Sequence, residues 1–107
     1  MDLAVRAYRL TDVFPKHELY SLTSQIRRAA ASVPANIAEG YGRESTGAYV
    51  QHLRIAQGSL KELETHLILA ERVEITRPEL TEPLMIHCDV IGKMLRGLIR
   101  SLDGDTR

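Results

Sequence analysis

Tryptophan is missing from this chain, phenylalanine occurs once and tyrosine four times. The core must therefore be built from aliphatic side chains. There is a single cysteine, Cys88. It cannot close an intramolecular disulfide, and a reduced cytoplasm is the expected setting. Neither sign of charge is in excess, since fourteen basic residues face fourteen acidic ones. A dedicated nucleic-acid binder carries a basic surplus, because phosphate neutralisation supplies most of its affinity. Neutrality leaves room only for a local basic patch. No apolar run approaches the roughly 20 residues that span a bilayer. The first residues, MDLAVRAYRL, place charges where a signal peptide needs an apolar core. The reading is a soluble, cytoplasmic chain of 107 residues with no membrane association, enough for one domain.

What the chain does carry is helical periodicity. Leu3, Ala7, Leu10 and Phe14 mark a first helix from about Asp2 to Val13, stopped by Pro15, since the residue before a proline is pushed out of the α region. Leu19, Leu22, Ile26, Ala29, Val33 and Ile37 mark a second, from about Glu18 to Gly40. Pro34 lies inside it. An interior proline removes one backbone bond and crowds the carbonyl four residues back, so the helix either kinks or breaks. The apolar stripe keeps its phase across Pro34, which favours a kink, and Ser32 is placed to satisfy backbone groups freed nearby. Gly40 and Gly42 then end the helix in a left-handed cap.

The third helix is the most regular. Tyr49, Leu53, Ala56, Leu60, Leu63, Leu67 and Ala70 form an unbroken seam with four-three spacing from about Thr46 to Val73, with Ser45 or Thr46 as its N-cap. In the fourth, from about Glu79 to Leu102, the stripe is Leu80, Leu84, Cys88, Ile91, Leu95, Leu98 and Leu102. Thr76 and Glu79 have capping-box spacing. Pro83 offers an alternative start near Thr81, with the proline in the first turn. Gly92 and Gly97 point to close approach of a neighbouring helix, and the DGDTR tail reads as frayed. No strand pattern competes. The fold class is all-α, an antiparallel up-down-up-down four-helix bundle.

A helical bundle raises the question of a di-iron centre, which needs Glu-x-x-His on two helices. The residues three before His17, His52, His66 and His87 are Phe14, Tyr49, Leu63 and Leu84, so that motif is absent and no metal or other cofactor is expected. Glu62 and His66 read as a surface pair. Cys88 reads as a buried structural thiol. Gly40-Tyr41-Gly42 follows a helix rather than a strand, so it is no dinucleotide fingerprint. A polar face made of Gln25, Ser32, Asn36 and Glu39 runs along the second helix, with Ser59 and Glu62 on the third as natural partners of Asn36 and Glu39. It reads first as a packing network and second as a ligand or enzymatic site. Arg27 and Arg28 sit together, and Lys93, Arg96 and Arg100 lie along one side of the last helix, away from Glu62, Glu64, Glu71 and Glu74. Val50, Ile55, Ile68, Ile86, Val90 and Ile99 fall outside the main stripes and are available for a subunit interface.

The stretch LTSQIRRAAASVPANIAEGYGR, from Leu22 to Arg43, resembles the signature of the four-helix-bundle family named for proteins encoded in intervening sequences of bacterial 23S ribosomal RNA genes. The similarity continues through HLRIAQGSLKELETHL, from His52 to Leu67, and through KMLRGLIRSL, from Lys93 to Leu102. The resemblance implies a left-handed bundle. It also implies relatedness to the accessory variability protein of diversity-generating retroelements, a barrel-shaped homopentamer that binds a reverse transcriptase and nucleic acid. The resulting expectation is a non-enzymatic homo-oligomer that binds a protein or RNA/DNA partner, with Arg27, Arg28, Arg43 and Arg54 as contacts.

Overall fold

Short local signals set the helix ends. The computed structural model describes residues 1–18 and 21–105, and helices account for nearly all of them, with no strand among the described residues. The elements are α1 (Asp2–Thr11), a 3-10 turn (Lys16–Glu18), α2 (Leu22–Tyr41), α3 (Thr46–Arg72) and α4 (Pro78–Asp105). α1 stops two residues short of the predicted end, and the Thr11 hydroxyl donates to the Ala7 carbonyl at 2.8 Å. After Pro15 the chain closes a tight turn, with the Glu18 N–H on the Pro15 carbonyl. That turn occupies the predicted start of α2, which begins only at Leu22. Leu19, placed on the α2 stripe by periodicity, lies outside the described residues.

α2 is continuous through Pro34. A break is thereby excluded, although the proline withholds the donor that the Ala30 carbonyl would otherwise receive. The expected left-handed glycine cap does not form. The helix runs on to Tyr41, Gly42 has φ −78°, and no described glycine has positive φ. Gly40 is needed for a different reason. A β-carbon there would stand 2.7 Å from the His52 β-carbon and 3.2 Å from the Tyr49 carbonyl oxygen. α2 and α3 cross too closely at this point for any side chain.

α3 begins where Ser45 accepts from the Ala48 N–H at 3.1 Å. It ends in a Schellman motif, with the Ile75 N–H on the Ala70 carbonyl and the Glu74 N–H on the Glu71 carbonyl. The left-handed residue is Glu74, at φ 62°, where a glycine would be less strained. α4 starts at Pro78, because proline suits a first helical position whose N–H has no partner to find. The Thr76–Glu79 capping box does not form, and the Thr76 hydroxyl is buried without a hydrogen bond. Pro83 lies six residues into the helix rather than in its first turn, and α4 continues past Leu102 to Asp105.

Each helix packs on its neighbour in the chain and α1 also packs on α4, while the diagonal pairs stay apart. Along α2 and α3, Ser32 meets Ser59 and Asn36 meets His52. Along α3 and α4, Arg54 meets Asp103 and Glu71 meets Thr81. Contacts thus run in opposite order on each pair, which makes both pairs antiparallel. The bundle measures 48 × 22 × 18 Å. α1, at ten residues or about 15 Å, covers only part of that length. The core is aliphatic, led by Leu3, Ile26, Leu53, Leu60, Leu63, Leu67 and Leu95. In α4, Thr81 takes the buried place expected of Leu80, which is exposed, and Ile91, Leu98 and Leu102 sit at the core margin. A β-carbon on Gly92 would make only ordinary contact with Leu60, and one on Gly97 would meet nothing. Gly97 therefore marks no close helix approach.

Cys88 is fully buried, and desolvation pushes its thiol up to about 12, with Glu64 adding to the effect and Lys61 opposing it. The folded state holds this proton longer than the unfolded chain does. Its contribution to stability is therefore complete below the ordinary thiol value of 9.0 and is lost as pH rises from there towards about 12. Urea midpoints measured across that window should fall more steeply for the wild type than for Cys88→Ala. Equal slopes would show that the thiol does not titrate as its burial dictates. Gly40→Ala should lower stability by about 1–3 kcal/mol through the forced helix separation. Gly97→Ala, in open space, should raise it by about 0.5–1 kcal/mol. Both are read from urea unfolding, and a neutral Gly40→Ala would refute the close crossing.

Candidate functional site

Between α2 and α3 lies a chain of polar groups. The Ser32 and Ser59 hydroxyls are 2.8 Å apart. The Asn36 amide donates to the Ser32 carbonyl at 2.9 Å and to the Ser32 hydroxyl at 3.0 Å, and its oxygen lies 3.2 Å from His52 Nδ1. The α2 face therefore does engage Ser59, but through Ser32 rather than Asn36, and Ser32 joins this network as well as lying beside Pro34. The other members of the sequence-derived set lie elsewhere. Glu39 pairs with Arg43 at 2.6 Å, Glu62 lies 3.7 Å from His66, and Gln25 is exposed on α2. His66 is more enclosed than a surface pair, with 15% of its side chain exposed. His52 was not among the sequence candidates. It sits one heptad before Ser59, so the assignment of Ser59 to the α2-facing side carried His52 with it.

The four arginines singled out from sequence do not form one surface. Arg27 is a structural clamp. Its Nε donates to Thr11 at 2.8 Å, a terminal nitrogen reaches Asp12 at 3.2 Å, and the guanidinium lies 4.7 Å from the Tyr8 ring centre. It ties α1 to α2 and is only 23% exposed. Arg28 is exposed and reaches Ser24 on its own helix. Arg43 is paired to Glu39, and Arg54 crosses to Asp103 on α4 at 3.0 Å.

Arg54 belongs instead to a groove of about 360 Å³ between α3 and α4. Arg54, Gln57 and Lys61 line one wall and Arg96 the other, with Gly58, Gly92 and Leu60 as the floor. No carboxylate lines it. A second groove, about 320 Å³ between α1 and α4, is mainly apolar, with Leu10, Val13, Leu80, Pro83 and Leu84 flanked by Arg6 and Arg9. A third, about 330 Å³, includes Gln25, His66 and Leu69. Ser32, Asn36, His52 and Ser59 line none of these grooves. Among the described residues no three His, Cys, Asp or Glu side chains are arranged to hold a metal ion, and no helix is long and apolar enough to cross a membrane.

Of the apolar surplus, Val50 and Ile99 are buried and complete the core, so they are not interface residues. Ile55, Ile68, Ile86 and Val90 are exposed, as are Val13, Leu80 and Met94. On α4, Ile86, Val90 and Met94 recur every fourth residue and form an outward stripe.

Ser32→Ala and Ser59→Ala should each cost about 1 kcal/mol, and the double variant less than the sum, because either change alone breaks the same bond. A urea-unfolding cycle measures this, and strict additivity would remove the Ser32–Ser59 hydrogen bond from the account.

No curated protein matches the chain. A crystal structure of a protein of unknown function from the S23 ribosomal protein family of Bacteroides thetaiotaomicron is similar, with 28% identity over 92% of each chain and a TM-score of 0.82. The description of the 23S rRNA-intervening sequence proteins matches residues 1–97. With that match spanning all of α1, α2 and α3 and most of α4, and with the Leu22–Arg43 signature forming the continuous helix α2, the chain belongs to the 23S rRNA-intervening sequence protein family.

Proposed function

We propose that this protein is a non-enzymatic, self-associating helical scaffold that binds a protein or nucleic-acid partner. The observation that carries the reading is the uncovered apolar face on α4 and the adjoining end of α1. Ile86 and Val90 are each 58% exposed and Met94 56% exposed. Beside them, Leu80 and Val13 border the α1–α4 groove. A contiguous apolar strip of this kind on a small soluble domain marks an interaction surface. A second copy of the chain is the occupant that the family resemblance favours, and five copies is the number it implies. The alternative, chemistry at the α2–α3 polar cluster, has less support, since Ser32, Asn36, His52 and Ser59 already bond to one another.

Sedimentation velocity at about 10 µM protein, well above the Kd of a specific assembly, should show one closed oligomer. Val90→Glu should shift it to the 12.0 kDa monomer while leaving the helical circular dichroism intact. A wild-type monomer at that concentration would overturn the scaffold reading. An oligomer untouched by Val90→Glu would move the interface off α4.

A further inference from the structure

We propose that the groove between α3 and α4 is a seat for the phosphodiester backbone of a nucleic-acid strand. This deepens the partner half of the scaffold reading, on which it rests, and moves the contact away from Arg27 and Arg28. The net charge of the chain is zero, yet the cations are not spread evenly. Arg54 and Lys61 are one heptad apart on α3 and so project from the same side, about 10 Å apart along the axis. Arg96 faces them from α4. Lys93 and Arg100 flank Arg96 one turn to either side. The result is a row of like charge along the groove rather than one tight pocket, which suits a polymer carrying a negative charge at each residue.

The nearby acids do not cancel this row. Asp103 holds Arg54 at 3.0 Å, Glu64 lies 3.8 Å from Lys61 and Asp89 lies 3.2 Å from Lys93. All three pairs are solvent-accessible and worth little, so a polyanion can exchange with them. Arg96 and Arg100 make no ion pair among the described residues. Gly58 has nothing within 4 Å of where a β-carbon would stand, and Gly92 has only Leu60 and the Arg96 side chain near. The two glycines thus keep the floor low and let a strand settle between the cationic walls. Gln57 adds an amide able to donate and accept beside the strand. An acidic peptide would gain from the same charge, since guanidinium forks suit carboxylate as well as phosphate, but cations repeated along the length of the groove suit a backbone that carries one charge at every residue.

Fluorescence anisotropy with a labelled single-stranded RNA of about 12 nucleotides, short enough to address one groove, tests the proposal. Three phosphate contacts give a slope of log K against log salt near −2, so affinity should fall about 20-fold between about 50 and about 200 mM salt. Arg96→Ala and Lys61→Ala should each reduce the slope by about 0.7 unit, one phosphate contact on a single strand, while Arg28→Ala should leave it unchanged. All three side chains are exposed, and unchanged thermal melting confirms that the variants fold. Wild-type binding that is indifferent to Arg96→Ala and Lys61→Ala would overturn the groove while sparing the scaffold reading. Failure to bind single-stranded or duplex nucleic acid at low salt would remove both the groove and the nucleic-acid half of that reading, with self-association judged separately by sedimentation. Tighter, Arg96-dependent binding of a polyglutamate peptide would also overturn the proposal and assign the groove to an acidic protein segment.

Discussion

The close crossing of α2 and α3 is the constraint on which the rest of the bundle depends. Gly40 leaves no room for a β-carbon against His52. Further down the same seam the two helices are near enough for the Ser32 and Ser59 hydroxyls to bond directly. Small residues permit the approach, with Ala29 and Ala30 buried on α2 and Ala56 buried on α3. Once the backbones are that close, polar side chains on the shared face must satisfy one another, since an unpaired group there costs about 1–3 kcal/mol. The Ser32–Asn36–His52–Ser59 chain is therefore best understood as the polar register of a tight helix pair.

α1 is attached to this pair by a different logic. Apolar burial of Leu3, Ala7 and Leu10 supplies its adhesion. Arg27 supplies its orientation, by touching Thr11, Asp12 and Tyr8 at once. The α1–α4 groove stays open beside it, and the outer stripe of α4 stays exposed. The α3–α4 pair is looser than α2–α3, with glycines on both sides of its groove and long cationic side chains at the rim. The molecule thus presents two chemically distinct surfaces, an apolar one shared by α1 and α4 and a basic one shared by α3 and α4.

Much of this architecture was legible in the residues. The four-three seam from Leu53 to Ala70 placed α3, since one face of a helix is a local property of spacing. Ser45 as an N-cap is local as well, because the cap bond joins residues three apart. The errors arose where a local signal met a distant neighbour. Gly40 looked like a cap and is a contact. Thr76 had the spacing of a capping box but was buried as the chain turned into α4. Leu80 and Thr81 are adjacent, and only the phase of α4 against α3 decided which would face Glu71.

The candidate site divides in the same way. The sequence by itself determined helicity, the aliphatic stripes, the family signature and the line of Lys93, Arg96 and Arg100, all of which follow from residue type and periodicity along one helix. Tertiary structure alone decided that Arg27 is a clamp, that Arg54 and Lys61 face Arg96, and that Glu39 and Glu62 lie outside the polar network. Periodicity states which residues share a face but carries no information about which face of another helix it meets. That depends on crossing distance and phase, which packing sets.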